Sequence, residues 1–251
     1  MTTASPRRLA LGPDGRLRHR IGLGEISNDL ADWIACDLLE PGLLDPSAFE
    51  RTFVSVVLST DPDPATAWTA FYRNTLAELA AGGTPGGTNA GMAPVHRRAV
   101  ELAAGSVLEL GCCFGFLSLA LAAGGHEVTA VDLSAGTVRL LASVAPGLGL
   151  SLRTLAGDAT AMPLADGAAD TVYAVHLLEH LPPALAAVVL AEMLRLARRR
   201  VVVAVPYEDE PNPAWGHIRT FDDAALDALG AATGRPYRVD EHHGGWLVID
   251  A

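Results

Sequence analysis

From Ser106 onward, short apolar runs alternate with segments of helical periodicity, and no other feature of this 251-residue sequence constrains the fold as strongly. Strands that are joined by helices pair in parallel, because each crossover returns the chain to the same edge of the sheet. Helices are predicted around 114–123, 134–144 and 183–198. Five apolar runs are predicted as strands: SVLEL (106–110), EVTAV (127–131), LRTLA (152–156), TVYAV (171–175) and VVVAV (201–205). The sequence therefore predicts an α/β fold with a doubly wound sheet.

The end of the sequence departs from this alternation. A last helix, over about 222–233, is followed by two strand-like runs, YRVDE (237–241) and WLVID (246–250). The segment between them, 242–245, is too short for a crossover. These two strands are therefore predicted to pair antiparallel as a hairpin.

The first part of the chain has a helical period. Residues 25–94 are predicted to form a helical cap or lid over the active site of a domain that spans 95–251. Residues 1–24 are predicted as a basic, solvated N-terminal tail, and the glycine-rich run 82–91 as a linker or mobile loop. Apolar side chains recur at helical spacing in Trp68, Phe71, Tyr72, Leu76 and Leu79.

Charge and composition exclude several function classes. The net charge is −11, so nucleic acid is predicted not to be a partner, because an acidic surface repels polyanions. The sequence has no lysine, which excludes Schiff-base chemistry and a lysine-dependent phosphate loop. The three cysteines do not form a disulfide framework, and neither a signal peptide nor a membrane-spanning run is evident. The chain is predicted to be cytoplasmic without membrane contact, and its oligomeric state stays open.

A glycine-rich turn with an acid before it follows the first predicted strand, at the edge where parallel sheets bind ligands. The residues are Glu109-Leu110-Gly111-Cys112-Cys113-Phe114-Gly115. The glycines let the backbone approach a ligand, and the N-terminus of the following helix favours a carboxylate. Glu109 suits an ammonium group, and the spacing departs from the G-x-G-x-x-G of dinucleotide sites.

The next three strand ends carry further polar groups. Asp132 ends the second strand, where a carboxylate can accept both hydroxyls of a ribose. Asp158 follows the third strand and can accept a hydrogen bond from an adenine amine. The fourth strand ends in the run 176–181, HLLEHL. Any one of these acids could cap a helix, but four polar groups in register indicate one ligand.

These runs resemble class I S-adenosylmethionine-dependent methyltransferases, in VLELGCCFG, VTAVDLS and AGDATAMPLADGAADTVYAVHLLEHL. The resemblance extends roughly from Val95 to Ala251. It implies a Rossmann-like sheet of seven strands in the order 3-2-1-4-5-7-6, with the last strand antiparallel. It also implies S-adenosyl-L-methionine as the cofactor.

The resemblance also assigns the cofactor site residue by residue. The methionine moiety is implied to lie at Glu109, Gly111 and Gly115, the ribose at Asp132, and the adenine at Asp158 and Ala159. One departure is Cys113, which stands at the family's central glycine and leaves the shape of the turn open. The predicted cofactor-binding residues are Glu109, Gly111, Cys113, Gly115, Asp132, Leu133, Asp158, Ala159 and His176.

A narrower resemblance concerns the acceptor. The segments that carry it are DPATAWTAFYRNTL, APVHRRAVELA, LLEHL, RRRVVVAVPYEDEP, GHIRTF and EHHGGWLV. They look like the mycofactocin oligosaccharide methyltransferase family. This resemblance implies methylation of a sugar hydroxyl on the glycan of a peptide-derived redox cofactor.

Methyl transfer from a sulfonium is an in-line displacement, and a sugar hydroxyl is a poor nucleophile until it loses its proton. Histidine is the usual base near neutral pH. His217 or His180 is predicted to be the general base, and His176 is predicted to orient the methyl donor. Glu179 completes the predicted catalytic set. The run 208–210, EDE, precedes His217 in its loop and either holds sugar hydroxyls or faces solvent.

His176, Glu179 and His180 also have the spacing of metal ligands, H-x-x-E-H. The motif stands at a strand end inside a methyltransferase pattern, which disfavours a peptidase. No metal site is predicted, although a cation that clamps sugar hydroxyls stays an open alternative.

Three other functions compete with this interpretation. One is a methyltransferase for another small-molecule hydroxyl, of a quinol or a polyketide. Another is a cofactor-binding protein without catalysis, which Cys113 favours. A nicotinamide dehydrogenase is disfavoured by Glu109 and by the missing third glycine.

Overall fold

The computed structural model describes residues 8–251, and the chain divides into two compact units, Met1–Ala93 and Pro94–Ala251. The first unit begins with a hairpin in which β1 (Leu9–Leu11) pairs antiparallel with β2 (Leu17–His19). The predicted solvated tail, 1–24, therefore contains two strands, and its first seven residues lie outside the described part of the chain. The sequence does not predict these strands because three residues are too few to show an alternating pattern.

The rest of the first unit is helical. The longest helix begins where Asp63 accepts hydrogen bonds from the N–H groups of Ala65 and Thr66, and it ends at Gly82, whose φ is +96°. The aromatic stripe predicted from the sequence lies on this helix, with Phe71 and Tyr72 fully buried. A role as a lid stays a prediction. The helices are α1 (Leu30–Ile34), which continues as a π-helical turn (Ala35–Leu39), α2 (Phe49–Ser59) and α3 (Pro64–Ala81).

Helix α4 (Thr88–Leu102) shortens the predicted linker or loop over 82–91, because only residues 82–87 lie outside a helix. Its second residue, Asn89, is fully buried. The Asn89 backbone N–H donates to Asp29 Oδ1 over 2.8 Å, and its side-chain amide donates to Glu78 Oε2 over 2.5 Å. These buried polar contacts stabilise the helix start in a run whose glycines favour a loop.

The second unit contains a sheet of seven strands in the order β5-β4-β3-β6-β7-β9-β8. The strands β3 to β7 pair in parallel, and the last strand in the chain, β9, runs antiparallel to both of its neighbours. This order is 3-2-1-4-5-7-6 when the strands of this unit are numbered alone, so the predicted fold is confirmed. The strands are β3 (Val107–Leu110), β4 (Val128–Asp132), β5 (Arg153–Ala156), β6 (Ala169–Val175), β7 (Ala197–Val205), β8 (Tyr237–Glu241) and β9 (Gly245–Asp250).

Helices and short turns connect these strands. Buried aliphatic side chains of α7, such as Val189 and Met193, join those of β6 and β7 in the main core, and they hold the carboxyl ends of the strands at one edge. Within residues 8–251, no helix combines the length and the apolarity needed to cross a bilayer. The helices are α5 (Phe116–Ala123), α6 (Ala135–Val144), α7 (Pro183–Leu196) and α8 (Asp223–Ala232).

The boundary between α7 and β7 differs from the prediction. The helix was expected to extend to residue 198, but β7 begins at Ala197. Arg198 Nε donates to Asp170 Oδ1 over 3.0 Å, and Arg198 also donates to Ser106 Oγ over 2.8 Å. The arginine therefore stabilises contacts between strands rather than the end of a helix.

Asp170 also accepts hydrogen bonds from the Ser106 backbone and hydroxyl, and with Arg198 these contacts hold the pKa of its carboxyl below the usual range. We expect Asp170→Asn to lower the melting temperature at neutral pH. Because the pKa is depressed in the folded chain, this contribution is present above about pH 4 and is lost as the pH falls through the lowered pKa. Thermal melts from pH 3 to pH 8 measure the difference.

Asp166→Asn is the matched control, because Asp166 pairs with Arg195 from a side chain that is 83% exposed. Exposed ion pairs contribute little to stability. Equal melting temperatures for the two variants at pH 7 would contradict the assignment.

Candidate cofactor and active site

The turn after β3 brings backbone to the carboxyl edge of the sheet. Gly111 and Gly115 have positive φ angles of +75° and +78°. A Cβ at Gly111 would lie 2.9 Å from a methyl group of Leu177, and one at Gly115 would lie 2.4 Å from a methyl group of Leu141. Glycine is therefore required at both positions, because a side chain meets both a strained φ and a close neighbour.

The non-glycine residue in this turn is accommodated. Cys113 has φ +49°, so it adopts the left-handed conformation that a central glycine would take, at a cost of about 1–2 kcal/mol. Its backbone N–H donates to Asp132 Oδ2 over 2.9 Å. The departure from the family pattern therefore preserves the turn and places an exposed thiol beside it.

Glu109 lies inside the sheet rather than at its surface. Its side chain is 4% exposed and accepts a hydrogen bond from the Ser118 hydroxyl of α5. Burial raises the pKa of this carboxyl to about 7, against the opposing effect of Ser118, and the nearby Asp132 raises it further. An ammonium group placed beside Glu109 would favour the charged carboxylate.

Asp132 is held at the end of β4 by two backbone N–H groups, from Cys113 over 2.9 Å and from Ser134 over 2.8 Å. Each of its carboxylate oxygens accepts one of these bonds, and a second lone pair remains on each for a ribose hydroxyl. Leu133, which follows it, is an exposed apolar side chain (78%). Such a side chain offers a flat apolar contact to a bound nucleoside.

The end of β5 lies beside the end of β4, because the N–H of Gly157 donates to the carbonyl of Asp132 over 3.0 Å. Asp158 accepts hydrogen bonds from the backbone and the hydroxyl of Thr160, and these contacts lower the pKa of its carboxyl. Ala159 packs against the main core. The structure therefore places all the residues predicted for ribose and adenine at one edge.

His176 directly follows β6 and has φ +52°, and its N–H donates to the carbonyl of Ala204 in β7 over 2.9 Å. Burial lowers the pKa of this histidine to about 4, and nearby His217 and His180 lower it further. Its Nδ1 lies 3.9 Å from Glu179 Oε1. The ring therefore lies between the cofactor edge and the residues that follow.

Glu179 and His180 lie in a short 3-10 turn, Leu178–His180, rather than on one face of a helix. Glu179 is 1% exposed, and burial raises the pKa of its carboxyl to about 8. Among the described residues, neither of its oxygens accepts a hydrogen bond from another side chain or from another residue's backbone. A buried carboxylate in this state is costly, so its surroundings are a candidate functional site.

The loop after β7 brings His217 to this carboxylate. The N–H of Ile218 donates to the Glu179 carbonyl over 3.0 Å. His217 Nε2 lies 4.0 Å from Glu179 Oε1, and the rings of His180 and His217 lie 4.9 Å apart. The structure therefore brings together all four predicted catalytic residues, although their roles stay predictions. We call His176, Glu179, His180 and His217 the histidine–glutamate cluster.

Two residues near this cluster were missed or assigned another use. Glu208 accepts a hydrogen bond from His217 Nδ1 over 2.7 Å, whereas the sequence suggested a contact with sugar or solvent. His96 on α4 is buried, and burial together with the nearby His176 lowers its pKa to about 4. His96 lies in the segment APVHRRAVELA, which carries part of the narrower resemblance, but no role was predicted for it. Only the length of α4 could have placed it near the sheet edge.

The hairpin histidines occupy a separate position. His242 and His243 lie in the turn between β8 and β9, with their rings 5.0 Å apart. A hydrogen bond from Trp246 Nε1 to the His242 carbonyl holds this turn. They remain outside the predicted catalytic set.

Residues 107–200 match a family model described as a methyltransferase domain. The chain therefore carries a methyltransferase domain, and the predicted enzyme class is confirmed. No curated protein sequence matches the chain.

Several solved structures share the fold at low identity. A SAM-dependent methyltransferase from Aquifex aeolicus is 17% identical, with a TM-score of 0.52 over 70% of this chain and 97% of its own. Magnesium protoporphyrin IX methyltransferase from Synechocystis PCC 6803, solved with bound SAM, is 16% identical, with a TM-score of 0.51 over 82% and 96%. A protein from Pyrococcus horikoshii OT3 is 17% identical, with a TM-score of 0.53 over 64% and 89%. With the matched domain, this fold supports S-adenosyl-L-methionine as the cofactor.

Cofactor affinity tests the position of Asp132. Hydrogen bonds to a charged group contribute about 1.5–3 kcal/mol each, so Asp132→Ala should weaken S-adenosylmethionine binding at least about tenfold. Asp222→Ala is the matched control, because Asp222 also accepts a backbone N–H, at the start of α8, and is not a predicted cofactor contact. Calorimetry measures both affinities. Unchanged binding in a folded Asp132→Ala variant would show that the ribose lies elsewhere.

The raised pKa of Glu109 predicts a pH dependence of cofactor binding. Glu109 is neutral below about pH 7 and charged above it. Since the ammonium group favours the charged form, affinity should rise as the pH increases through 7. The cofactor itself titrates in the same way when it binds the Glu109→Gln variant. The difference between the two pH profiles of affinity therefore reports the titration of the Glu109 carboxyl alone. Parallel profiles would exclude a contact between Glu109 and the ammonium group.

Proposed function

We propose that this protein is an S-adenosylmethionine-dependent O-methyltransferase whose acceptor is a sugar hydroxyl of the mycofactocin oligosaccharide. The observation that carries the O-methyl assignment is the histidine–glutamate cluster, which lies at the end of β6 next to the predicted methionine site. Methylation of a hydroxyl requires a place for its proton, and neutral imidazoles beside a buried carboxylate provide one.

S-adenosylmethionine supplies an electrophilic methyl group on its sulfonium. The chain's own residues do the rest of the work. The turn from Gly111 to Gly115 and the carboxylate of Asp132 hold the donor in one orientation. His176 follows β6 directly, with Nδ1 3.9 Å from Glu179 Oε1, and at this position its ring would limit the access of water to the methyl group.

We expect the acceptor hydroxyl to bind next to His180, His217 and Glu179. When an acceptor hydroxyl takes up the methyl group in place of the sulfonium sulfur, its proton would pass to the imidazole of His180 or His217. Glu208 fixes the ring of His217, since it accepts the Nδ1 proton over 2.7 Å and leaves Nε2 facing the cluster. The choice of His217 or His180 over His176 as the general base stays a prediction.

The sugar acceptor is supported by the loop between β7 and α8. It carries the exposed carboxylates of Asp209 and Glu210 and the ring of Trp215 in the same segment as His217, whereas Glu208 is hydrogen-bonded to His217. Carboxylates hold sugar hydroxyls, and aromatic rings pack against sugar faces, whereas a quinol or polyketide would require an apolar wall. The choice of mycofactocin rests on the sequence resemblance alone.

Labelled S-adenosylmethionine and a panel of acceptors test this function. We expect label in the mycofactocin oligosaccharide and none in a quinol of similar size. Transfer to the quinol alone would overturn the sugar assignment, and binding of the cofactor without transfer to any acceptor would overturn catalysis.

Removal of the cluster histidines tests the acceptor side. His217→Ala and His180→Ala should each lower the single-turnover rate by roughly 10²–10⁴ and leave cofactor affinity unchanged. His243→Ala is the control, because it removes an imidazole from the hairpin turn. Near-normal rates in both cluster variants would place acceptor activation elsewhere.

A further inference from the structure

We propose that Glu179, His180 and His217 form a binding site for one divalent transition-metal cation, for which Zn²⁺ and Mn²⁺ are the probes. The sequence predicts no metal, and the motif with ligand spacing pairs Glu179 and His180 with His176 rather than with His217. The binding itself is independent of the proposed function. Its catalytic role rests on that function.

The environment of the Glu179 carboxylate favours a bound cation. Glu179 is 1% exposed, and within residues 8–251 both of its oxygens lack a hydrogen-bond donor from another residue. A buried carboxylate is normally paired, hydrogen-bonded or bound to a metal. The nearest cationic candidates are the rings of His176 and His217, at 3.9 Å and 4.0 Å, which are too far for hydrogen bonds. A cation between these groups would satisfy the carboxylate.

His180 and His217 each present an unprotonated Nε2, whose lone pair can bind a cation. His217 Nδ1 lies 2.7 Å from Glu208 Oε2, and His180 Nδ1 lies 3.1 Å from the Gly216 carbonyl. Charged carboxylate and carbonyl oxygens only accept, so Nδ1 carries the proton in each ring and Nε2 is left without one. A carboxylate or carbonyl behind a histidine is the usual outer support of a metal ligand.

The distances between the potential ligand atoms also suit one shared cation. One potential ligand atom from each of Glu179, His180 and His217 lies within 4.8 Å of the other two. Bonds of about 2.0–2.2 Å to a common cation require ligand atoms about 3–4 Å apart, which small side-chain rotations reach. His180 is exposed, so one side of the site is open to an acceptor. A catalytic cation needs such an open position.

The donor set selects the class of cation. Two imidazoles and one carboxylate favour Zn²⁺, Mn²⁺ or Fe²⁺, whereas Mg²⁺ and Ca²⁺ prefer oxygen ligands. The motif in the sequence joins His176 to Glu179 and His180, but the ligand atoms that lie within 4.8 Å of one another are those of Glu179, His180 and His217. His217, 37 positions after His180 in the chain, takes the third ligand position through its loop.

The cation would hold and polarise the acceptor hydroxyl. A bound divalent cation lowers the pKa of an oxygen ligand, so the hydroxyl loses its proton to solvent while the oxygen stays aligned with the methyl group. In this form His180 and His217 act as ligands, and their removal slows transfer through loss of the cation.

Metal titration tests the site without reference to activity. Protein stripped with a chelator should bind one Zn²⁺ or Mn²⁺ per chain by calorimetry. The Co²⁺ form should show visible absorption bands that change when His217 is removed. Glu179→Gln keeps the shape of the side chain and should weaken binding at least about tenfold, as should Glu208→Gln, which removes the outer support. His243→Ala should bind as the unaltered protein does.

The outcomes separate this inference from the proposed function. Loss of Zn²⁺ binding in Glu179→Gln, with normal S-adenosylmethionine binding, supports the site. Equal binding by Glu179→Gln and the unaltered protein, or full methyl transfer by stripped protein in the presence of chelator, overturns it and leaves the methyltransferase proposal intact. Failure to bind S-adenosylmethionine affects only the proposed function, because the metal titration contains no cofactor.

Discussion

Parallel pairing on both sides of β3 is the constraint on which the site depends. Leu110 pairs with Val131 of β4 and with Ala174 of β6, so three neighbouring strands end within one residue of the same level. Each strand then delivers a different group to one edge: the glycine turn, Asp132 and His176. A shift of one strand by a single residue would reverse the direction of its side chains and remove its contribution.

Two residues at this edge of the sheet have strained backbone conformations, and both are predicted site residues. Among the described residues, the non-glycine residues with positive φ are Cys113, His176 and His243, and the first two lie directly after β3 and β6. Such residues cost about 1–3 kcal/mol each and persist where their surroundings hold them. The hydrogen bonds of Cys113 to Asp132 and of His176 to Ala204 do this, so each of the two residues is held by the strand next to its own.

The site residues that strand ends position could be predicted from the sequence. Contacts between segments that are distant in the chain could not. Glu109, Asp132 and Asp158 could be assigned because each stands at the end of an apolar run, and a parallel sheet aligns such ends. The contact between His217 and Glu179 has no sequence period, since a loop of variable shape brings the two together. The same reason hides the Asn89 contacts that begin α4, because polar pairing overrides the glycine signal there.

The matched domain covers the predicted donor site but only part of the predicted acceptor site. The matched methyltransferase domain covers residues 107–200, which include every predicted cofactor contact and the strand ends that hold them. It stops before His217, which completes the histidine–glutamate cluster, and before Glu208, which accepts a hydrogen bond from His217. The residues predicted to bind the donor therefore lie within the matched domain, whereas the loop that carries Glu208 and His217 lies outside it. The acceptor proposed above therefore rests on the sequence resemblance and on the contacts of His217 with Glu179 and Glu208.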